Sequence, residues 1–401
     1  MSDTTKKRLK FAGKLLFVCL LLGILYYSFR DSMGDMLTEL ANVSPQVVMS
    51  LFLTVILYHI FEGHITWLIV HKTHPEYPRW KGFCNAFYCS FYKTATLGSG
   101  SGIAGIYYLN KAGIPVPNAT GMYFFQYIVH KVSMAVYSLL LFLATYGFIH
   151  ASFADYQCYI LLGFAGVCVI AGVLLAVATV PWMQTACNLL ANRLEQKHPV
   201  WGEKLTGAGH KLALLQAESL SLLKDPLLLL RLFLCNLLKF TSWYILPWFV
   251  FSGSSATGDL PFTALQCFSM TALSQSLAGV IPTPAGIGSV EAVFVLLFRR
   301  LLPEAKALSA VVLYRFDTML LPCAIGAFFV LGEKISSFRR KRPQQTDMIH
   351  KNAIHKISHN TILCAVAFIF HYVLFVTAMP LSIIFSAGSQ ESSETSLLQS
   401  F

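Results

Sequence analysis

The chain has 401 residues, 55% of them hydrophobic and 12% charged, with a net charge of +11 and a mean hydropathy of +0.60. A soluble domain carries about twice that charged fraction, and apolar runs of about 20 residues recur along the chain, so the class is an all-α polytopic membrane protein. The basic residues sit in short loops between spans, where topology and anionic lipid head groups explain them better than nucleic acid does.

Lys6, Lys7, Arg8 and Lys10 precede an apolar run over 11–29. The run is too long for the core of a signal peptide and lacks a following small-residue cleavage site, so a retained first span is expected. A second span is expected over 46–70, with His59, Glu62 and His64 near its centre. His59 and Glu62 share a helical face and His64 leaves it, which favours polar packing or a proton relay over a metal site. No metal is expected to bind and no cofactor motif occurs in the chain.

Region 83–118 is apolar but interrupted. Its centre reads Thr94-Ala-Thr-Leu-Gly-Ser-Gly-Ser-Gly-Ile-Ala-Gly105. Gly98, Ser99, Gly100, Ser101 and Gly102 offer backbone N–H groups and hydroxyls, either as a cradle for phosphate at a helix start or as small residues for close helix packing. No Gly-Lys-Ser/Thr follows, so the motif is not a P-loop. Spans are expected over 119–148, carrying His130 and Lys131, and over 157–180. In loop 181–226, Leu189, Leu190, Leu194, Leu205, Leu212, Leu214, Leu215 and Leu222 alternate with charges, the pattern of amphipathic helices on a membrane surface. The next span, 227–252, holds Lys239 near its middle, whereas Arg231, like Lys14 in the first span, lies near an end and is placed to snorkel.

The second interrupted region, 262–300, contains Val280-Ile-Pro-Thr-Pro-Ala-Gly-Ile-Gly-Ser-Val-Glu-Ala292. Pro282 and Pro284 each remove a backbone donor, and Gly286 and Gly288 admit conformations that other residues resist. In hydrocarbon such backbone is tolerated only where protein or a water-filled cavity surrounds it. Gly286-Ile-Gly288 is expected to start a helix with Glu291 in its first turn. Glu291 then serves either as a dipole-matched cap or as an ion-pairing or proton-handling group facing a cavity. Span 305–332 carries Arg315 and Asp317, which are two residues apart and cannot face each other, so their partners must come from other spans. A basic linker (333–360), an additional span (361–387) and a polar tail (388–401) follow. The ten cysteines form no CxxC and no regular spacing, and read as small buried hydrophobes.

Lys and Arg concentrate in 71–82, 181–226 and 333–360. That bias puts the N-terminus in the cytoplasm and the C-terminus outside, provided each interrupted region returns to the side it entered. The expected fold is therefore about seven transmembrane helices plus two re-entrant hairpins. Span, hairpin and span would occur twice in opposite orientation, over 46–148 and 227–332, the inverted repeat of many transporters. Gly102-Ile103 precedes Lys131 by the interval that separates Gly286-Ile287 from Arg315.

The segment Pro282-Thr-Pro-Ala-Gly-Ile-Gly-Ser-Val-Glu291, followed by an apolar helix and Leu313-Tyr-Arg315, resembles the membrane domain of lysylphosphatidylglycerol synthases and their flippase-like relatives. That family has Pro-x-Pro-Gly-Gly-x-Gly-x-x-Glu before a span bearing an Arg; here Ala285 stands where a Gly is usual. Gly98 to Lys131 resembles the family's first hairpin and following span, with His130-Lys131 where Glu-Arg or Asp-Arg is common, and Ser99–Gly102 replacing a Pro and an acidic residue. The likeness covers about 11–332 and implies a flippase-like membrane domain without the cytosolic aminoacyl-transfer domain of the full-length synthases.

The expected function is lipid translocation in the cell (inner) membrane, through an intramembrane polar cavity that binds an anionic or lipid-linked head group. Gly98–Gly102, Pro282, Pro284, Gly286 and Gly288 would frame the cavity, Lys131, Lys239 and Arg315 would neutralise phosphate, and Glu291 would pair with a cation or with an amino head group. A membrane phospholipid or lipid-linked substrate is the expected partner, with a second copy of the chain or a synthase or transferase as an associate. Two alternatives remain open: an intramembrane transferase using His130 or His59, and a non-transporting accessory subunit. No ATPase motif occurs, so active transport would draw on an ion gradient or a partner.

Overall fold

Prolines and glycines, more than charges, set where the helices begin and end. A computed structural model describes residues 40–96, 98, 100–179, 219–254, 260–281, 283 and 286–340, with isolated positions elsewhere. Every regular element among the described residues is helical. The expected spans 11–29 and 361–387, most of the amphipathic stretch 181–226, the linker beyond 340 and the polar tail lie outside the described residues, as do Ser99, Pro282 and Pro284.

Helix α1 (Pro45–His71) opens with Ser44 accepting from the Val47 N–H and Pro45 at the first helical position, where its missing donor costs nothing. Its 27 residues extend about 40 Å, enough to cross a bilayer. Both faces are apolar: Val47, Leu51 and Val55 are buried, while Met49, Phe52 and Leu53 are exposed and suited to lipid.

After a short loop come α2 (Arg79–Ala95) and α3 (Ser101–Lys111), separated by the Gly98 and Gly100 break in which Gly98 has φ +92°. Helix α4 (Val116–Ala144) starts at Pro115-Val116-Pro117. Helix α5 (Tyr146–Ser152) and a 3₁₀ turn lead to α6 (Gln157–Thr179). Tyr159, Leu162 and Val169 on α6 are exposed, as suits a peripheral, lipid-facing span.

Helix α7 (Pro226–Tyr244) is capped by Asp225, whose side chain accepts from the Leu228 N–H. It breaks at Ile245 before α8 (Leu246–Ser254), because Pro247 supplies no N–H to continue the ladder. The expected span 227–252 is thus two helical pieces. Helix α9 (Ala264–Ala278) begins with a reciprocal cap between Thr263 and Gln266. Helix α10 (Ser289–Phe298) follows the Pro/Gly segment. Helix α11 (Glu304–Arg315), a π turn (Phe316–Leu320) and α12 (Leu321–Arg340) run on as one span.

Among the described residues five stretches are long and apolar enough to cross a membrane: Pro45–His71, Val116–Ala144, Ala154–Val177, Pro226–Gly253 and Glu304–Glu333. They coincide with five of the seven expected spans. The two interrupted regions form helical hairpins, α2 with α3 and α9 with α10. Helix α2 lies against both α1 and α12, α9 lies on α4, and α1 and α7 pair with each other.

These crossings are close because glycines meet backbone. A Cβ on Gly82 would stand 2.3 Å from the Gly63 carbonyl oxygen, and one on Gly326 would stand 2.3 Å from the Phe87 carbonyl oxygen. Without a hydrophobic drive between helices in lipid, such contact supplies the packing that holds α1, α2 and α12 together. The largest buried apolar cluster joins α4, α6, α8, α9, α10 and α11 through Phe164, Phe251, Phe294, Phe298 and Tyr314.

Candidate functional site

A cavity of about 280 Å³ opens where the end of α2, the middle of α4, the end of α7, the second hairpin and the π turn converge. Lys93 enters from α2, His130, Lys131 and Met134 from α4, and Phe240, Trp243 and Tyr244 from α7. The second hairpin adds Gln275, Thr283 and Gly286, and the last span adds Arg315 and Thr318. No Asp or Glu is among the described residues that line it.

The wall nearest the broken segment is built around Arg315. Its Nε donates to Glu291 Oε1 at 2.5 Å, and its Nη2 donates to Glu291 Oε2 at 3.0 Å and to the Gly286 carbonyl. Glu291 Oε2 also accepts from the Gly288 N–H at 2.8 Å, so the carboxylate caps its own helix and pairs with Arg315 at once. The cap and the ion pair therefore coexist, while Glu291 stands behind Arg315 and is not among the described residues that line the cavity. The geometry depends on the local sequence: Gly286 has φ +71° and Gly288 has φ +88°, a region that side-chain-bearing residues resist. Ser289 Oγ reaches the Gly286 carbonyl at 3.3 Å and Thr283 Oγ1 at 2.8 Å, closing the turn. Arg315 is 7% exposed and Glu291 5%, and in such a setting a bidentate pair is strong.

Asp317 faces away from Arg315. The π turn carries it to α1, where Thr54 Oγ1 donates to its Oδ1 at 2.9 Å. The two charged residues thus find partners on other elements, as their spacing requires. A π turn at such a point widens the helix where side chains must diverge.

Behind the cavity Lys239 is 1% exposed and forms a hub. It donates to Glu62 Oε2 at 2.8 Å, to Asn236 Oδ1 at 2.7 Å and to His130 Nδ1 at 2.9 Å. Gln126 donates to the other Glu62 oxygen at 2.9 Å and accepts from Thr66. The network ties α1, α4 and α7 together, and Lys239 touches two residues that line the cavity, His130 and Phe240.

His59 stays in polar packing: Nδ1 lies 2.8 Å from the Val55 carbonyl, Nε2 lies 2.9 Å from Ser90 Oγ, and the ring stacks on Phe87. Among the described residues no cluster of His, Cys, Asp or Glu is arranged to hold a metal.

Of the residues singled out from sequence, Lys131, Gly286 and Arg315 line the cavity, Glu291 and Gly288 stand directly behind Arg315, and Lys239 lies one contact away. Gly98, Gly100, Ser101 and Gly102 do not line it. Gly98 and Gly100 lie in the turn between α2 and α3, Ser101 and Gly102 open α3, and among the described residues that hairpin reaches the cavity through Lys93 instead. Lys93 carried a readable signal, a cation one residue before the Gly/Ser motif in an apolar region. Sequence reasoning missed it by reading the first interrupted region for its Gly/Ser cluster and not for the cation that precedes it. Gln275 and Trp243 carried no signal, because amides and tryptophans in apolar helices are common and only packing selects them.

Residues 11–326 match the family described as the lysylphosphatidylglycerol synthase TM region. No curated protein matches the chain. A match over that length, on five membrane-crossing stretches, makes this an integral membrane protein that belongs to the lysylphosphatidylglycerol synthase transmembrane-region family.

Proposed function

We propose that this protein translocates a membrane lipid by receiving its anionic head group in the cavity between the hairpins while the acyl chains stay in the bilayer. The observation that carries the reading is the cavity's one-sided electrostatics: among the described residues Lys93, Lys131 and Arg315 line it and no carboxylate does. Cationic side chains held away from water attract an anion more strongly than they do in bulk solvent. The contacts of α2 with α12 and of α9 with α4 support the same reading, since they bring both interrupted regions to one cavity, as in transporters built from repeated units. The cell membrane as location, a cytoplasmic N-terminus and an inverted relation between the halves belong to this proposal.

An intramembrane transferase has less support. His59 is engaged by Val55 and Ser90 away from the cavity, and His130 Nδ1 is taken by Lys239.

Translocation is tested by reconstituting the purified protein in liposomes and following leaflet exchange of fluorescently labelled anionic phospholipid. Wild type is expected to accelerate exchange, and a Lys131→Ala, Arg315→Ala double variant to lose most of that acceleration. Equal exchange by wild type, double variant and empty liposomes sinks the proposal.

A further inference from the structure

The charges around the cavity balance unevenly. Among the described residues, Arg315 is matched by Glu291 and Lys239 by Glu62. Lys93 and Lys131 form no ion pair among those residues, although both line the cavity. Lys93 lies 5.7 Å from the Trp243 ring centroid and Lys131 5.7 Å from that of Tyr127, contacts that orient an ammonium without cancelling its charge.

His130 adds no positive charge. The Lys239 ammonium has no lone pair and can only donate, so His130 Nδ1 accepts and its proton sits on Nε2. His130 therefore contributes a neutral imidazole to the lining, fixed in one tautomer by the hub behind it.

Among the described residues the cavity thus presents two ammonium groups without a paired carboxylate. Two further donors stand ready in its wall. Gln275 Nε2 and Trp243 Nε1 are buried, and neither has a hydrogen-bond partner among the described residues. A buried donor left unpaired is destabilising, and both atoms suit phosphate oxygens.

Nothing comparable awaits a cation. Among the described residues the lining offers no carboxylate, and its aromatic surfaces already serve the protein's own groups. Trp243 stacks on Tyr58 with centroids 3.6 Å apart and carries Lys93, while Phe240 carries Lys239 at 4.9 Å and stacks on Tyr244. A head group bearing an amine would set it against Lys93 and Lys131. The volume of about 280 Å³ lies just below the usual range for ligand pockets, which suits a compact group over an elaborated glycan.

Resting on the reading of this cavity as a head-group site, we infer that its ligand is a terminal phosphate carrying close to two negative charges, a phosphate monoester or diphosphate, in preference to a singly charged phosphodiester or a zwitterion. A phosphate monoester carries about −1.5 to −2 at neutral pH, which matches Lys93 plus Lys131. A phosphodiester leaves one ammonium unmatched, and a zwitterion leaves both.

The test measures binding rather than transport. Full-length protein in detergent is titrated at one pH and ionic strength with short-chain phosphatidate, phosphatidylglycerol and phosphatidylethanolamine, and with inorganic pyrophosphate as the soluble arm. Phosphatidate is expected to bind roughly tenfold or more tightly than the other two lipids, a difference of the size that charge matching gives in a desolvated site. A Lys93→Gln, Lys131→Gln double variant should level the three lipids, and a Lys93→Arg, Lys131→Arg double variant, which keeps the charge, should restore the order. Equal affinities in wild type, or a preference that survives the double Gln variant, overturn the inference. Pyrophosphate binding as tightly as phosphatidate would place the same chemistry on a soluble anion and overturn the lipid source. Selective binding without leaflet exchange removes translocation and leaves this inference standing, whereas exchange of all three lipids at one rate, with equal affinities, does the reverse.

Discussion

Arg315 and Glu291 lie 24 residues apart on two helices and meet through a two-pronged pair, Nε to Oε1 at 2.5 Å and Nη2 to Oε2 at 3.0 Å. The same guanidinium holds the Gly286 carbonyl, so one side chain clamps the broken segment to the last span. Removing either partner leaves a buried charge without its counterpart. Arg315→Met or Glu291→Leu alone should lower stability by about 3–5 kcal/mol, read as a drop in melting temperature in detergent. The Glu291→Leu, Arg315→Met double variant should lose less than the sum of the two, because neither charge is then stranded. Additive losses would show that the pair is not coupled. Arg315→Lys should behave nearly as badly as Arg315→Met, since an ammonium cannot reproduce the planar fork.

Gly286 is the point where backbone freedom is required. At φ +71° a side chain is strained, and a Cβ would meet Val290 Cγ2 at 3.3 Å and Arg315 Nη2 at 3.7 Å. Gly286→Ala should destabilise by about 1–3 kcal/mol and impair leaflet exchange by shifting the carbonyl that Arg315 holds. Unchanged melting and exchange in this variant would mean the turn is not held as described.

Gly82 and Gly102 form an opposed pair for the same chemistry. A Cβ at Gly82 would collide with backbone of α1, whereas one at Gly102 meets nothing within 4 Å. Gly82→Ala should reduce folded yield from the membrane and melting temperature, and Gly102→Ala should leave both unchanged. A large exchange defect in a normally folded Gly102→Ala protein would restore a direct role for the Gly/Ser motif.

Lys239 supports His130 and Glu62 together. Lys239→Met should cost about 3–5 kcal/mol by stranding the Glu62 carboxylate, and Glu62→Gln added to it should recover part of that loss. Thermal unfolding of the three variants at one pH checks the order. A Lys239→Met protein as stable as wild type would remove the hub from the fold.

Asp225 couples the first loop to α7 outside the spans. The Lys72 ammonium, and then the Leu228 N–H, hold its carboxyl below the usual carboxylate range. A depressed folded value means the contribution is fully present above the unfolded value, about pH 4, and is lost as pH falls through the folded one. Asp225→Asn should therefore lower the melting temperature modestly at neutral pH and flatten its decline on acidification below about pH 4. The comparison is a pair of melting-temperature profiles, and a parallel decline in both would exclude the contribution.

Much of this fold is legible in the residue order. Apolar runs long enough to cross a bilayer need no tertiary information, because lipid forces each backbone to satisfy itself locally. That is why five spans appear where hydropathy places them and why the two interrupted regions are helical hairpins. The Pro/Gly pattern at 280–288 likewise marks a break, and Glu291 at the first turn of the following helix is a matter of local spacing. The parting of Arg315 from Asp317 also follows from sequence, since residues two apart leave a helix on different sides.

What the chain order cannot carry is partnership across distance. Glu62 and Lys239 are 177 residues apart, and Thr54 and Asp317 are 263 apart. Only the packing of α1 against α7 and of the hairpins against the opposite spans brings them together. The same packing sets the Gly/Ser turn aside from the cavity and puts Lys93 in its wall. Hydropathy acts residue by residue and fixes which segments enter the membrane, whereas the cavity's charge arises from side chains of separate helices. Those meet only after glycine contacts have let the helices close.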